Sequence, residues 1–330
     1  MSDSLLIRTP ARLHFGLLRP GIGGGARSGG LGLMIDQPPT VLRITPGGDG
    51  YRMEGRSAER IRRWISMWQG SEHDWNLPPF ELVVEQAPPF HGGLGSGTQL
   101  ALAAVTGLAS LFDRPLPDLL ALARQLGRAR RSAVGSVGFR AGGLVYDPGA
   151  DEGLDKEDAI ICVALPAAWR VVLLIDRARC GPSGRVERRL FEQLEPPPPR
   201  LVGRLVSLAE QVIVPAARRG DFEDFAAGVA HYGKLAGDCY RRVERERTLN
   251  DLAARRLAWL TRHGAPAAAQ SSWGPATFAL LPDETAAFEL VERLQGDLGK
   301  APESECLESI IAQPARGADV IRSVLVPEER

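Results

Sequence analysis

Cysteine is scarce in this sequence and aromatic residues are few. The four cysteines, Cys162, Cys180, Cys239 and Cys306, are scattered, with no C-x-x-C pair and no histidines at zinc-ligand spacing. That pattern excludes a disulfide framework or a zinc ribbon and leaves reduced, buried thiols as the expectation. Aromatics make up 6% of the chain, and its 40 Lys and Arg balance its 40 Asp and Glu. A nucleic-acid binder needs a broad basic surface interleaved with stacking rings, so that class is set aside, together with attraction to an anionic membrane. No apolar run reaches the roughly 20 residues that a bilayer-spanning helix requires. Met1 to Pro10 is polar and then briefly apolar, without the basic start and long apolar stretch of a secretion signal. The expectation is a soluble, cytoplasmic protein with local rather than global anion sites.

What is present suits a sizeable core: 330 residues with 44% hydrophobic content imply two domains. The beginning reads as β-rich, with short strands at Leu5-Leu6-Ile7 and Leu13-His14-Phe15 on either side of Pro10, and an alternating strand from Thr40 to Thr45. Between them Gly21 to Gly32 is too glycine-dense for a regular element and reads as a ligand-covering loop, a strand resuming over Leu31 to Ile35. Apolar spacing predicts a helix over Ser57 to Trp68, a strand over Phe80 to Glu85, and helices over Gln99 to Phe112 and Pro117 to Arg131. A boundary near residue 160 divides the chain into 1–160 and 161–330. The second part reads as strands at Ile160 to Leu165 and Val171 to Ile175, then helices at Leu201 to Arg219 and Phe222 to Tyr240. A strand at Ala276 to Leu281, a helix at Glu284 to Leu294 and a strand at Val320 to Val326 close an α+β molecule.

The most informative stretch runs from Pro88 to Gln99, PPFHGGLGSGTQ. Glycines let backbone amides turn toward an anion, and the helix that follows offers unpaired N–H groups and the positive end of its dipole. No Lys follows the last glycine, as a Walker A loop requires, and the G-x-G-x-x-G order of a dinucleotide turn is also absent.

This stretch, with the Ala-rich helix behind it, resembles the second motif of the GHMP kinase superfamily. Pro10-Ala11-Arg12-Leu13-His14-Phe15-Gly16 resembles the first motif, and Ser271-Ser272-Trp273-Gly274-Pro275-Ala276-Thr277-Phe278-Ala279-Leu280 the third, in the same order along the chain. Kinases of that group carry an acidic catalytic residue shortly before a mid-chain glycine pair. Here the stretch from Ser132 to Gly143 holds no Asp or Glu. What stands there instead is similar to the β-ribofuranosylaminobenzene 5′-phosphate synthases: Arg12-Leu13-His14-Phe15, GLGSGTQ through Gln99, Arg131-Ser132-Ala133-Val134-Gly135, Gly138-Phe139, and Gly184 to Leu190 following Cys180 to Ser183.

The resemblance implies a ribosomal S5 domain 2-like N-terminal domain, a ferredoxin-like C-terminal domain and a homodimer. It implies joining phosphoribosyl pyrophosphate to 4-aminobenzoate or 4-hydroxybenzoate, with loss of pyrophosphate and carbon dioxide and help from Mg²⁺, in tetrahydromethanopterin biosynthesis. The site expected from it has His14, Ser96 and Arg140 as catalytic residues. Substrate would be bound by Arg12, Arg27, His91, Gly92, Gly93, Leu94, Gly95, Gly97, Thr98, Gln99, Arg131, Ser132, Ser272 and Trp273, and the metal by Ser96 and Thr98. Arg140 draws attention because it stands where a kinase would carry its acid; Arg128 and Arg130 read as solvated charges on a helix face. Two other readings stay open: an ATP-dependent small-molecule kinase with Asp36 or Asp176 recruited as base, and a catalytically silent ligand sensor on the same fold.

Overall fold

The computed structural model describes residues 3–21, 26–48, 51–53, 57–70, 77–150, 157–182, 184–239, 248–265, 267–297 and 307–324. Residues 22–25 of the first glycine loop, Ser183, Tyr240, Cys306 and the final residues of the closing strand lie outside these.

The first sheet is antiparallel apart from one pair of strands. β1 (Asp3–Leu17) lies between β2 (Gly30–Pro46) and β11 (Asp319–Val324). β2 pairs with β4 (Phe80–Gln86) along its second half and with β5 (Leu144–Asp147) along its first, and β6 (Ile161–Val163) pairs with β5. β3 (Tyr51–Met53) runs parallel to β4, the two joined by α1 (Ala58–Gln69). Pro10 does not divide β1 into the two short strands that the sequence suggests. It falls at a register shift between Thr9 and Ala11, where a bulge tolerates a residue that has no N–H to donate. The end of the supposed glycine loop, from Gly30 to Gly32, is likewise the start of β2.

α2 (Ser96–Leu111) has no proline and is lined by Leu and Ala on almost every side, which suits a helix buried against β1 and β2. α3 (Leu119–Gln125) begins where Asp118 Oδ1 accepts from Ala121 N at 2.9 Å. It ends well short of Arg131. Gly127, at φ 71°, sends its N–H to Arg124 O at 2.8 Å, and Arg128 N reaches back to Ala123 O at 2.7 Å. That is a Schellman ending, and it turns Arg128 off the helix. α4 (Val134–Ala141) follows.

The second sheet has the order β10-β7-β9-β8, from β7 (Arg170–Asp176), β8 (Ala267–Gln270), β9 (Thr277–Leu281) and β10 (Leu307–Ala312), all neighbours antiparallel. Between its first and second strands come α5 (Gly184–Glu192), α6 (Pro199–Ser207), α7 (Val214–Arg219), α8 (Phe222–Asp238) and α9 (Thr248–Arg262). α10 (Glu284–Asp297) joins the third strand to the fourth. This is the ferredoxin-like arrangement in an α+β molecule. The strands do not sort at residue 160, because β6 and the C-terminal β11 both belong to the first sheet.

One core joins the two halves. Leu13 and Phe15 of β1 and Leu33 of β2 pack in a single cluster with Phe225 and Tyr232 of α8 and Phe278 of β9. The Phe15 and Phe278 rings lie 5.6 Å apart.

Candidate active site

Three sequence segments far apart in the chain meet at the start of α2. The loop from Pro88 to Gly95 descends from β4, with left-handed residues at His91, Gly93 and Gly95. Leu94 O accepts from Arg12 N at 2.9 Å, tying the loop to β1. On its other side the loop touches the turn from Ser271 to Gly274 backbone to backbone. A Cβ on Gly274 would collide with Gly93, and one on Gly93 would collide with Ser271 O. Ser271 joins all three: its hydroxyl donates to Gly93 O at 2.7 Å and accepts from His14 N at 3.0 Å. Ser272, at φ 57°, sends its N–H to His14 O at 3.0 Å.

These segments wall a cavity of about 1110 Å³. Into it, at the first turn of α2, point arginines from three different elements. A Cβ on Gly97 would lie 3.1 Å from Arg60 Nη2 and 3.6 Å from Arg128 Nη2, so both guanidiniums reach the helix N-terminus. Arg60 comes from α1 and lies over the Trp64 ring at 5.2 Å and the Phe90 ring at 4.8 Å. Arg128 donates from Nε to Thr98 Oγ1 at 3.2 Å. Arg12 lies against the loop, its Nε 3.3 Å from a Cβ placed on Gly95, and that buried Nε has no hydrogen-bond partner.

The charges are unbalanced. Burial, then the neighbouring Arg128, push the Arg12 pKa down to about 10 against an upward pull from Glu187. Burial lowers Arg60, and burial followed by Arg60 lowers Arg128. Among the described residues, the cavity-lining carboxylates are Glu187 and Asp238. Glu187 holds Arg131, at 2.6 Å. Like charges gathered beside the positive end of a helix, with too few carboxylates to match them, make a site for a multiply charged anion.

Part of the wall is aromatic. Phe191 stacks on Trp273, ring centroids 4.4 Å apart and planes at 21°, and the Arg131 guanidinium lies 3.4 Å from the Phe191 centroid.

The expected residues that line this cavity are Arg12, His14, His91, Gly93 to Thr98, Arg131, Ser132, Ser272 and Trp273. His14 is buried, and burial followed by Arg12 holds its pKa well below 6.5, so it is a neutral ring. His91 is exposed at the rim, its pKa lowered by partial burial, then by Arg60. Ser132 Oγ accepts from Val134 N at 3.2 Å, at the start of α4.

Four expectations are corrected. Arg140 is exposed at the end of α4 and does not line the cavity, because α4 presents that residue to the outside. Arg27 is buried away from the cavity, its charge already matched by Asp147 at 3.0 Å, which also accepts from Ala133 N at 2.7 Å and so supports the start of α4. Gln99 is buried and ties α2 to α4 by donating to Gly135 O at 2.7 Å. Gly92 lies one residue outside the lining and accepts at its O from Ala276 N at 3.3 Å.

Arg128, expected as a solvated charge on a helix face, instead turns into the cavity and bonds Thr98, and the sequence reading gave no site role to Arg60, Glu187 or Phe191, which also line it. The overlooked signal for Arg128 is Gly127, which ends the helix. For Arg60 no local signal exists.

Among the described residues no group of three or more His, Cys, Asp or Glu could hold a metal, and no helix is long and apolar enough to cross a membrane. Contrary to the expectation of burial, Cys162 and Cys180 are exposed.

Fold and loop together define a member of the GHMP kinase superfamily. Residues 60–139 match the family model described as the GHMP kinases N terminal domain. The backbone superposes on homoserine kinase from Cytophaga hutchinsonii with a TM-score of 0.64, at 17% identity over 97% of this chain and 98% of that one. On mevalonate diphosphate decarboxylase from Staphylococcus aureus the TM-score is 0.62, at 14% identity over 97% and 98%. Those likenesses show the fold alone.

Sequence narrows the assignment. The chain is 30% identical over 301 residues to the β-ribofuranosylphenol 5′-phosphate synthase of Methanothermobacter thermautotrophicus, covering 85% of this chain and 89% of that protein. It is 28% identical over 260 residues to the enzyme of the same name from Archaeoglobus fulgidus, covering 72% and 82%. The chain belongs to this synthase family.

Proposed function

We propose that this protein transfers the ribosyl 5-phosphate group of phosphoribosyl pyrophosphate to a para-substituted benzoate, releasing pyrophosphate and carbon dioxide. The observation that carries the reading is the convergence of Arg12, Arg60 and Arg128 on the N-terminus of α2, where a diphosphate would meet cations and unpaired backbone N–H groups. The relatives' name, a ribofuranosylphenol phosphate synthase, supports keeping 4-hydroxybenzoate beside 4-aminobenzoate as a candidate acceptor.

In this reading the bond between ribose C1 and the pyrophosphate oxygen breaks, and its electron pair leaves on pyrophosphate. Stabilising that growing charge is the main task, and the three arginines are already in place for it. The ring carbon bearing the carboxylate, made electron-rich by the para substituent, bonds to C1. The carbon–carboxylate bond then breaks, its electron pair returns to the ring, and carbon dioxide departs. No strong base is needed, which agrees with a neutral His14 as a wall of the site rather than a proton carrier.

The residues fit Mg²⁺ only as a passenger on the diphosphate. The hydroxyls of Ser96 and Thr98 lie at the helix start among cations, a donor set too poor to cage the ion alone. Bound there, Mg²⁺ would neutralise part of the diphosphate charge. A homodimer in the cytoplasm serving tetrahydromethanopterin biosynthesis completes the proposal on family resemblance, and sedimentation tests its assembly.

The kinase alternative loses both bases suggested for it. Asp36 Oδ1 accepts from Gln313 N at 2.8 Å away from the cavity, and Asp176 is buried against Arg256 at 2.6 Å. The deciding experiment measures pyrophosphate release with Mg²⁺, phosphoribosyl pyrophosphate and a panel of benzoates, against ATP turnover with small alcohols. Release that depends on a benzoate supports the transferase, ATP turnover supports the kinase, and neither supports the sensor.

A further inference from the structure

α5 enters the cavity without being part of the core. None of its nine residues is buried, and Val186 is 51% exposed. With Arg188 it sends Glu187 and Phe191 to the cavity, and these last two, four residues apart, lie on one face of the helix. Glu187 gives its carboxylate to Arg131 at 2.6 Å, and Phe191 lays its ring on Trp273 at 4.4 Å, with the Arg131 guanidinium on its other side at 3.4 Å. A carboxylate and a phenyl ring therefore sit together on an arginine and a tryptophan, in the same cavity as Arg12, Arg60 and Arg128, and Glu187 pulls on the charges of Arg12 and Arg128.

We propose that the slot between Arg131 and Trp273 is the subsite for an aromatic carboxylate, and that Glu187 and Phe191 of α5 occupy it as the chain's own imitation of that ligand. The inference deepens the transferase reading and rests on it for the identity of the acceptor. An arginine fork and a flat indole select an aromatic ring bearing a carboxylate over a phenol or an aliphatic acid. Entry of the ligand exchanges one carboxylate on Arg131 for another and one ring on Trp273 for another, so the subsite is never left with an unmatched charge.

α5 can withdraw without disturbing the core. Gly184, at φ 58° with open space around it, begins the helix, while Leu194, 6% exposed, anchors the chain just beyond it. Gly181 N, bonded to His91 O at 2.8 Å, fixes the other side. The exchange also has a direction. The acceptor carries a carboxylate that competes with Glu187 for Arg131, and the decarboxylated product does not. Loss of carbon dioxide thus returns Arg131 to Glu187, and Phe191 to the place the product must leave.

Calorimetric titration of the full chain with 4-hydroxybenzoate, with and without Mg²⁺ and pyrophosphate, tests this. Glu187→Gln is expected to bind roughly threefold to fivefold more tightly, the gain from removing a displaceable half-exposed ion pair. Arg131→Ala is expected to bind at least about tenfold more weakly, through loss of a charge-assisted hydrogen bond. Phe191→Ala, checked for folding by its melting curve, should also bind more tightly. 4-Methylphenol, which lacks the carboxylate, should not distinguish Glu187→Gln from the wild type. Unchanged or weaker binding by Glu187→Gln overturns the proposal, as does undiminished binding by Arg131→Ala or no binding by any form. Pyrophosphate release separates this from the reaction. Benzoate-dependent release with unaltered binding in the variants leaves the transferase standing and the subsite wrong. Tighter binding by Glu187→Gln without release in any form leaves the subsite standing and the transferase wrong.

Discussion

Arg12, Arg60 and Arg128 face one another across the start of α2, and their mutual repulsion is the residue-level sign that something anionic belongs among them. Replacing one should weaken anion binding without weakening the fold. Arg128→Gln is expected to bind pyrophosphate roughly tenfold or more weakly, as loss of a charge-assisted hydrogen bond gives. Its melting temperature should equal or exceed that of the wild type, because a partly buried like charge has gone. A large fall in melting temperature with unchanged pyrophosphate affinity would show instead that Arg128 is a structural tether to Thr98.

His14 supplies a pH test at the same scale. Its folded-state pKa lies well below 6.5, first through burial and then through Arg12, so below pH 6.5 the unfolded chain binds a proton that the folded chain refuses. Stability is therefore whole above pH 6.5 and is lost as pH falls from there toward the folded-state pKa, with a slope of up to about 1.4 kcal/mol per pH unit from this one group. Denaturant titrations of wild type and His14→Gln between pH 5 and pH 7.5 should diverge in that sense. Parallel curves would mean that His14 takes up its proton in the folded state.

At the scale of elements, the contact that matters most is between two backbones. Gly274 and Gly93 touch where the third and second motifs meet, so Gly274→Ala forces the Ser271–Gly274 turn away from the glycine loop. An overpacking cost of about 1–3 kcal/mol is expected. With it should come a fall in pyrophosphate affinity, because the loop's amides lose their backing. Chemical denaturation and pyrophosphate titration of this variant check both, and wild-type stability would show that the turn gives way freely.

Elements with strong periodic patterns were legible in advance: α1, α2, β4 and α8 fall within a few residues of where apolar spacing puts them. β8, with the sequence AAAQ, was not, since nothing in three alanines distinguishes a strand from a helix until β9 is there to pair with it. The predicted helix over Pro117 to Arg131 overran because Leu and Ala spacing outweighed Gly127 in the reading. In the folded chain that glycine ends the helix and delivers Arg128 to the site.

For the molecule as a whole, the decisive feature is that the hydrophobic cluster containing Phe15, Tyr232 and Phe278 draws on both sheets, while β11 returns from the C-terminus to pair with β1. Two halves joined in this way should unfold together. Urea unfolding followed by tryptophan fluorescence and by far-UV circular dichroism is expected to give coincident single transitions. Two separated transitions would mean that the halves are stable on their own.

The sequence by itself determined the superfamily, the α+β class and the position of the glycine loop that opens α2, because glycines, a Pro-rich lead and an Ala-rich helix are local requirements that each residue meets within its own stretch of chain. It also marked Arg12, His14, Ser271 and Trp273 as parts of ordered motifs. The tertiary structure alone decided which arginines face the loop. Arg27 and Arg140 looked as suitable as Arg12, yet one is matched by Asp147 and the other points outward, while Arg60 and Arg128 arrive from α1 and from beyond α3. An arginine's role depends on where its guanidinium ends, several bonds from the backbone and beside residues distant in sequence, and only the packing of α1, α2 and α3 against the first sheet sets that position.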